Sequence, residues 1–125
     1  MADEGRGCEE RVFECSGGPV LVVACPPPLD PLSHPRARRE RFRWVSPGSL
    51  SVEYEDDWSR GYFAYIIPGR GGGFYMEAPL DSLDDPSCGS TVAPWILERL
   101  SGWGLDPRAL EMLGFILSRK VFRGA

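Results

Sequence analysis

The sequence predicts an α+β fold: a bent antiparallel sheet or partial barrel of about six strands, followed by two C-terminal helices. Three observations carry this. Runs rich in Val, Phe, Tyr and Ile come in pairs separated by Gly- or Pro-containing turns through residue 78. The apolar period changes from two to that of a helix after residue 89. Two helix-start signatures, Ser90-Thr91 and Asp106-Pro107, fall in the last third. Residues 1–125 are expected to form a single α+β domain, with residues 1–9 flexible and 26–37 a proline-rich connection.

The first strand pair is RVFEC and PVLVVAC around Ser16-Gly17-Gly18, a hairpin signature. PVLVVAC is apolar without alternation, so it is expected in the interior of the sheet with both faces covered. The stretch from Cys25 to Ala37 holds five prolines, which lack the ladder donor, and reads as an extended surface connection.

Arg39, Arg41 and Arg43 then alternate with Glu40, Phe42 and Trp44, which predicts a strand. After Ser46-Pro47-Gly48, Leu50, Val52 and Tyr54 alternate with Ser51, Glu53 and Glu55. The turn spacing pairs Trp44 with Leu50, Phe42 with Val52, Arg41 with Glu53 and Arg39 with Glu55. Opposite charges and apolar pairs then agree in one register.

GYFAYII and FYMEA form a third pair around Pro68–Gly73. Both faces of GYFAYII are apolar: Tyr62, Ala64 and Ile66 on one, Phe63, Tyr65 and Ile67 on the other. Phe74, Met76 and Ala78 are expected inward, Tyr75 and Glu77 outward. After a turn-rich acidic bridge, Val92, Trp95, Ile96, Leu100 and Trp103 share one helical face, with the cap at Ser90 or Thr91 and Pro94 in the first turn. In the last helix Asp106 is the N-cap, Leu105 and Leu110 have staple spacing, and Leu110, Leu113, Ile116, Leu117 and Val121 make the buried stripe.

Composition narrows the function. With 125 residues and a net charge of −4, the chain has the length of one domain and no bulk affinity for polyanions. No apolar run reaches the roughly 18 residues of a membrane span, and residues 1–10 lack the apolar stretch of a secretory signal. A soluble cytoplasmic protein is the expectation, with no membrane contact and its cysteines reduced. The four cysteines form no CxxC pair and His34 is the single histidine, so no zinc site, other metal or cofactor is expected.

The loop Gly69-Arg70-Gly71-Gly72-Gly73 has neither the Lys-Ser/Thr of a Walker loop nor the spacing of a dinucleotide fingerprint, and a strand follows it. It reads as a hairpin tip. Cys88, before a helix, has no base nearer in type than His34, and Asp84 and Asp85 oppose a thiolate. Glu53, Glu55, Asp56 and Asp57 alternate across a strand and turn and do not converge on a cation; Glu77 with Asp81 is a second carboxylate pair.

These exclusions favour a small interaction or regulatory module acting through a protein partner over an enzyme. Trp58, on a polar turn, is its expected anchor, with Arg60, Arg70 and Tyr75 completing a binding patch. The alternative is a nucleic-acid module using Arg36, Arg38, Arg43, Arg70 and Tyr75. A small enzyme built on Cys88 or the carboxylates is the third reading.

Overall fold

The computed structural model describes residues 7–55 and 59–117. Trp58, with Asp56, Asp57 and Val121, lies outside the described residues. Two strands, β1 (Glu9–Cys15) and β2 (Gly18–Cys25), form the expected hairpin, with Cys15 opposite Gly18. Cys8 and Glu9, expected in a flexible tail, instead enter a disulfide and the first strand. Three more strands follow: β3 (Leu50–Tyr54), β4 (Arg60–Ile66) and β5 (Gly73–Pro79). Every pairing is antiparallel, and the order β1-β2-β5-β4-β3 leaves β1 and β3 as edges of an open sheet. The α+β class is as predicted, with five strands among the described residues in place of about six.

The missing strand is the arginine run. Arg39–Arg41 is a single 3-10 turn and the backbone on to Pro47 is irregular, so the pairing of Arg41 with Glu53 and Arg39 with Glu55 does not form. The reason is tertiary. Phe42 is buried against the sheet, edge-on to Tyr75 with centroids 6.4 Å apart. The Arg41 guanidinium lies 4.6 Å from the Tyr62 ring centroid and 3.1 Å from Glu55. A partly buried cation–π contact with a paired carboxylate, together with a buried ring, outweighs exposed ladder bonds.

Strand alternation divides the core in two. Val20, Val22 and Ala24 of β2, Phe63 and Tyr65 of β4, and Phe74, Met76 and Ala78 of β5 face the helices. Leu21, Val23, Cys25, Tyr62, Ala64 and Tyr75 face the other way, onto Leu32 and Phe42. The helix layer is α1 (Leu80–Leu83), α2 (Pro86–Gly102) and α3 (Pro107–Phe115). The second of these starts earlier than predicted. Asp85 accepts a bond from the Ser87 N–H, which makes Asp85 the cap and puts Pro94 inside the helix. The start of the third helix is as read: Asp106 accepts from the Arg108 N–H at 2.8 Å and Pro107 opens the helix. Of the expected stripe, Leu113 and Leu117 are buried while Leu110 and Ile116 are half-buried.

Two disulfides replace the expected free thiols. Cys15–Cys88 joins the end of β1 to α2 across 73 residues, and Cys8–Cys25 closes the other end of the first hairpin across 17. No cysteine is free, so Cys88 is not available as a nucleophile. None of the helices is long and apolar enough to cross a membrane among the described residues.

Candidate ligand cavity and partner face

Three stretches that stood apart in the sequence meet on the sheet face away from the helices: the proline-rich segment, the arginine–aromatic run and the glycine loop. The proline-rich segment is more than a connection. Asp30 caps a 3-10 turn, Pro31–Ser33, by accepting from the Leu32 N–H at 2.9 Å, and the turn drives Leu32 into the second core. His34 is buried too: its Nδ1 accepts from the Arg36 N–H at 3.1 Å, leaving Nε2 to donate to Glu10 at 3.0 Å. Each ring nitrogen thus has a backbone or carboxylate partner that pins the segment to β1.

The glycine loop is a hairpin connection, as read, but it also packs. The Gly72 N–H donates to the Leu29 carbonyl at 2.8 Å, while the Ile67 N–H donates to the Gly72 carbonyl at 2.9 Å. Gly72 has φ +82°, and a Cβ there would sit 2.6 Å from the Pro27 nitrogen. Only glycine permits that conformation together with that approach. The requirement comes from backbone contact with the prolines rather than from a phosphate.

The convergence leaves an open cavity of about 310 Å³. Its walls are Pro28, Leu29, Leu32, Phe42, Val45 and Ile66, with Gly71 and Gly72 on one side and Asp30, Arg39, Arg43 and Trp44 at the rim. Trp44 is 77% exposed, which is exceptional for the largest apolar side chain. A second concavity of about 420 Å³ lies beyond Trp44, between residues 40–44 and Ser51, Val52 and Glu53 of β3. Leu29, 38% exposed, lines the first, Val52, 39% exposed, lines the second, and Trp44 lines both.

The strand beside it is open. The Glu55 N–H donates to the Arg60 carbonyl, so residues 53 and 51 form the hydrogen-bonded pairs with β4. The N–H and C=O of Val52 therefore point away from β4, and no described residue bonds them. The groove exists because the arginine–aromatic run does not pair there.

Most cations around the face are engaged. Arg36 pairs with Glu10 at 3.0 Å, Arg38 with Glu40 at 2.9 Å, and Arg60 with Glu77 at 3.1 Å. Arg39 stands 3.8 Å from Asp30, whose other bonds go to the Leu32 N–H and the Ser33 hydroxyl. No carboxylate among the described residues pairs with Arg43 or Arg70. Arg70 projects over the connection between α2 and α3, 2.7 Å from where a Gly104 Cβ would stand.

Tyr75 was expected outward, in the same patch as Trp58 and Arg70. It is fully buried instead, because the face opposite the helices is a second core and not solvent. Its hydroxyl donates to Glu77, while the Tyr62 hydroxyl donates to Glu55 at 2.9 Å. Burial first, and the hydrogen bond to Glu77 second, push the Tyr75 hydroxyl well above the usual tyrosine range. Of the sequence-read residues, the structure brings Arg43 to the cavity and Arg60 to Tyr62 and Glu77, but keeps Arg70 apart and buries Tyr75. The site residues missed were Leu29, Arg39, Trp44 and Val52. The one sequence signal for Trp44 was its place in the alternation, which argued for a paired strand.

No described cluster of three or more His, Cys, Asp or Glu side chains could hold a metal ion. Comparison with known protein families finds no match, and neither do comparisons with characterised proteins or with solved structures.

Proposed function

We propose that the chain is an interaction module that binds a protein partner through the Leu29–Trp44–Val52 surface and the open edge of β3. The observation that supports this most is Trp44, exposed between two concavities beside the open edge of β3. Exposed tryptophan in such a setting matches the residue type and the surround of interface hot spots. A free strand edge invites an extended partner segment, and folded proteins otherwise protect such edges. Val52 lacks the charge or proline that would do so.

The setting of this binding is an oxidising compartment rather than the cytoplasm expected from the thiol reading. Two disulfides that clamp the sheet support it, since they persist outside reducing compartments. The nucleic-acid reading has less in its favour, because Arg36 and Arg38 are paired with carboxylates and Tyr75 has no face to stack on a base.

The test is affinity capture with the native protein and its Trp44→Ala variant, with and without nuclease. The proposal expects a partner retained after nuclease and lost with Trp44→Ala, at unchanged melting temperature. Capture that survives the substitution, or that disappears with nuclease, contradicts it.

A further inference from the structure

We propose that the cavity under Trp44 binds a small amphipathic organic acid, an apolar chain or ring carrying one carboxylate. This goes beyond the partner surface and does not depend on it. The volume sets the size. About 310 Å³ is at the lower end of small-molecule sites and matches about ten water-sized volumes, hence a ligand of about ten non-hydrogen atoms.

The walls set the body of the ligand. Leu29, Leu32, Phe42 and Trp44 offer aliphatic and aromatic surface, and Trp44 lines the cavity while remaining largely exposed. The floor is fixed, because the Gly72 N–H holds the Leu29 carbonyl and Phe42 is locked edge-on against Tyr75. A preformed cavity with apolar walls and a few placed polar groups is the usual form of such a site.

The rim sets the charge. Arg43 has no carboxylate partner among the described residues, and Arg39 is held only at 3.8 Å from Asp30. Two guanidinium groups against one carboxylate leave a single positive charge, which suits a monoanion. Asp30 already accepts from the Leu32 N–H and the Ser33 hydroxyl and stands beside Arg39, so the charge left over at the rim is positive. Guanidinium favours carboxylate through paired parallel hydrogen bonds.

The experiment is a titration of the intact, disulfide-bonded protein with octanoate, octan-1-ol and octylamine, followed by tryptophan fluorescence and calorimetry. Saturable octanoate binding is expected, with octan-1-ol weaker by about tenfold, the equivalent of one lost charged contact. Arg43→Ala should bring octanoate down to the level of the alcohol and leave the alcohol unchanged. Leu29→Glu, at an exposed wall position, should abolish octanoate binding while the protein stays folded. Val52→Glu damages the partner surface but lies outside this cavity, so octanoate should bind it as tightly as the native protein. Absence of saturable octanoate binding overturns the proposal, as does affinity indifferent to Arg43→Ala and Leu29→Glu, or octylamine binding as well as octanoate. Partner capture that survives Trp44→Ala would sink the partner proposal and leave these outcomes untouched, so the two proposals fail separately.

Discussion

The two faces of the sheet are closed by different means. On one, α2 and α3 lay regular apolar stripes against Phe63, Phe74 and Met76, and Cys15–Cys88 fastens the helix layer to β1. On the other, no α-helix or strand among the described residues covers Tyr62 and Tyr75. Two short 3-10 turns do so through Leu32 and Phe42, aided by guanidinium groups over Tyr62 and a shorter disulfide, Cys8–Cys25. The helix face is filled by periodic packing. The irregular face is filled in patches, and the gaps between patches are where cavity, exposed tryptophan and open edge occur. Function on this reading sits where the covering is incomplete.

The largest expected effects are those of removing the disulfides. A chain-entropy treatment gives about 4 kcal/mol for the loop closed by Cys15–Cys88 and about 3 kcal/mol for that closed by Cys8–Cys25. Urea denaturation of the paired alanine variants checks both the order and the presence of the bonds. Equal stability with and without reductant would mean that the thiols are free.

Core truncation should separate the faces next. Phe63→Ala, in the fully buried helix-side core, should cost roughly 3.5 kcal/mol, whereas Phe42→Ala should cost about 2 kcal/mol because its irregular covering can relax into the space. Matching losses would show that the irregular face is as tightly packed as the helical one.

A pH titration sharpens the comparison further. The Tyr75 hydroxyl has its folded pKa raised by burial, so the native state keeps a proton that the unfolded chain releases. Its contribution is complete below the ordinary tyrosine range near about pH 10 and is lost as pH rises beyond it. Tyr75→Phe should flatten that alkaline loss. Tyr54 and Tyr65, also raised by burial on the helix side, keep part of the slope. An unchanged alkaline slope in Tyr75→Phe would show that its hydroxyl is solvated.

The smallest stability effect belongs to Trp44→Ala, expected within about 0.5 kcal/mol because the side chain is exposed. A loss of several kcal/mol would make Trp44 part of the core and remove the partner anchor.

What was legible in the sequence follows the same division. The first hairpin, the β4–β5 pair and the cap of α3 depend on local periodicity and turn chemistry, and these were read from residues such as Val20–Ala24 and Asp106-Pro107. Residues 39–44 had an equally regular alternation, yet the element did not form. Phe42 and Arg41 found Tyr75, Tyr62 and Glu55, contacts set by topology and invisible to a local register. The disulfides were missed because the compartment was inferred from the N-terminus and the partners of Cys15 and Cys25 are non-local. The cavity was not legible at all. Its three walls are far apart in the chain, and the glycines were read for turn formation without the close proline contact.

The partner groove requires an unpaired outer edge of β3, and amide hydrogen exchange at Val52 probes that edge at the residue concerned. The open edge predicts that the Val52 amide exchanges within about tenfold of an unstructured amide, while Ser51 and Glu53, bonded to β4, exchange far more slowly. Protection of Val52 equal to that of its neighbours would contradict it, for residues 42–44 would then be lying along the edge as a sixth strand, with no groove left for a partner.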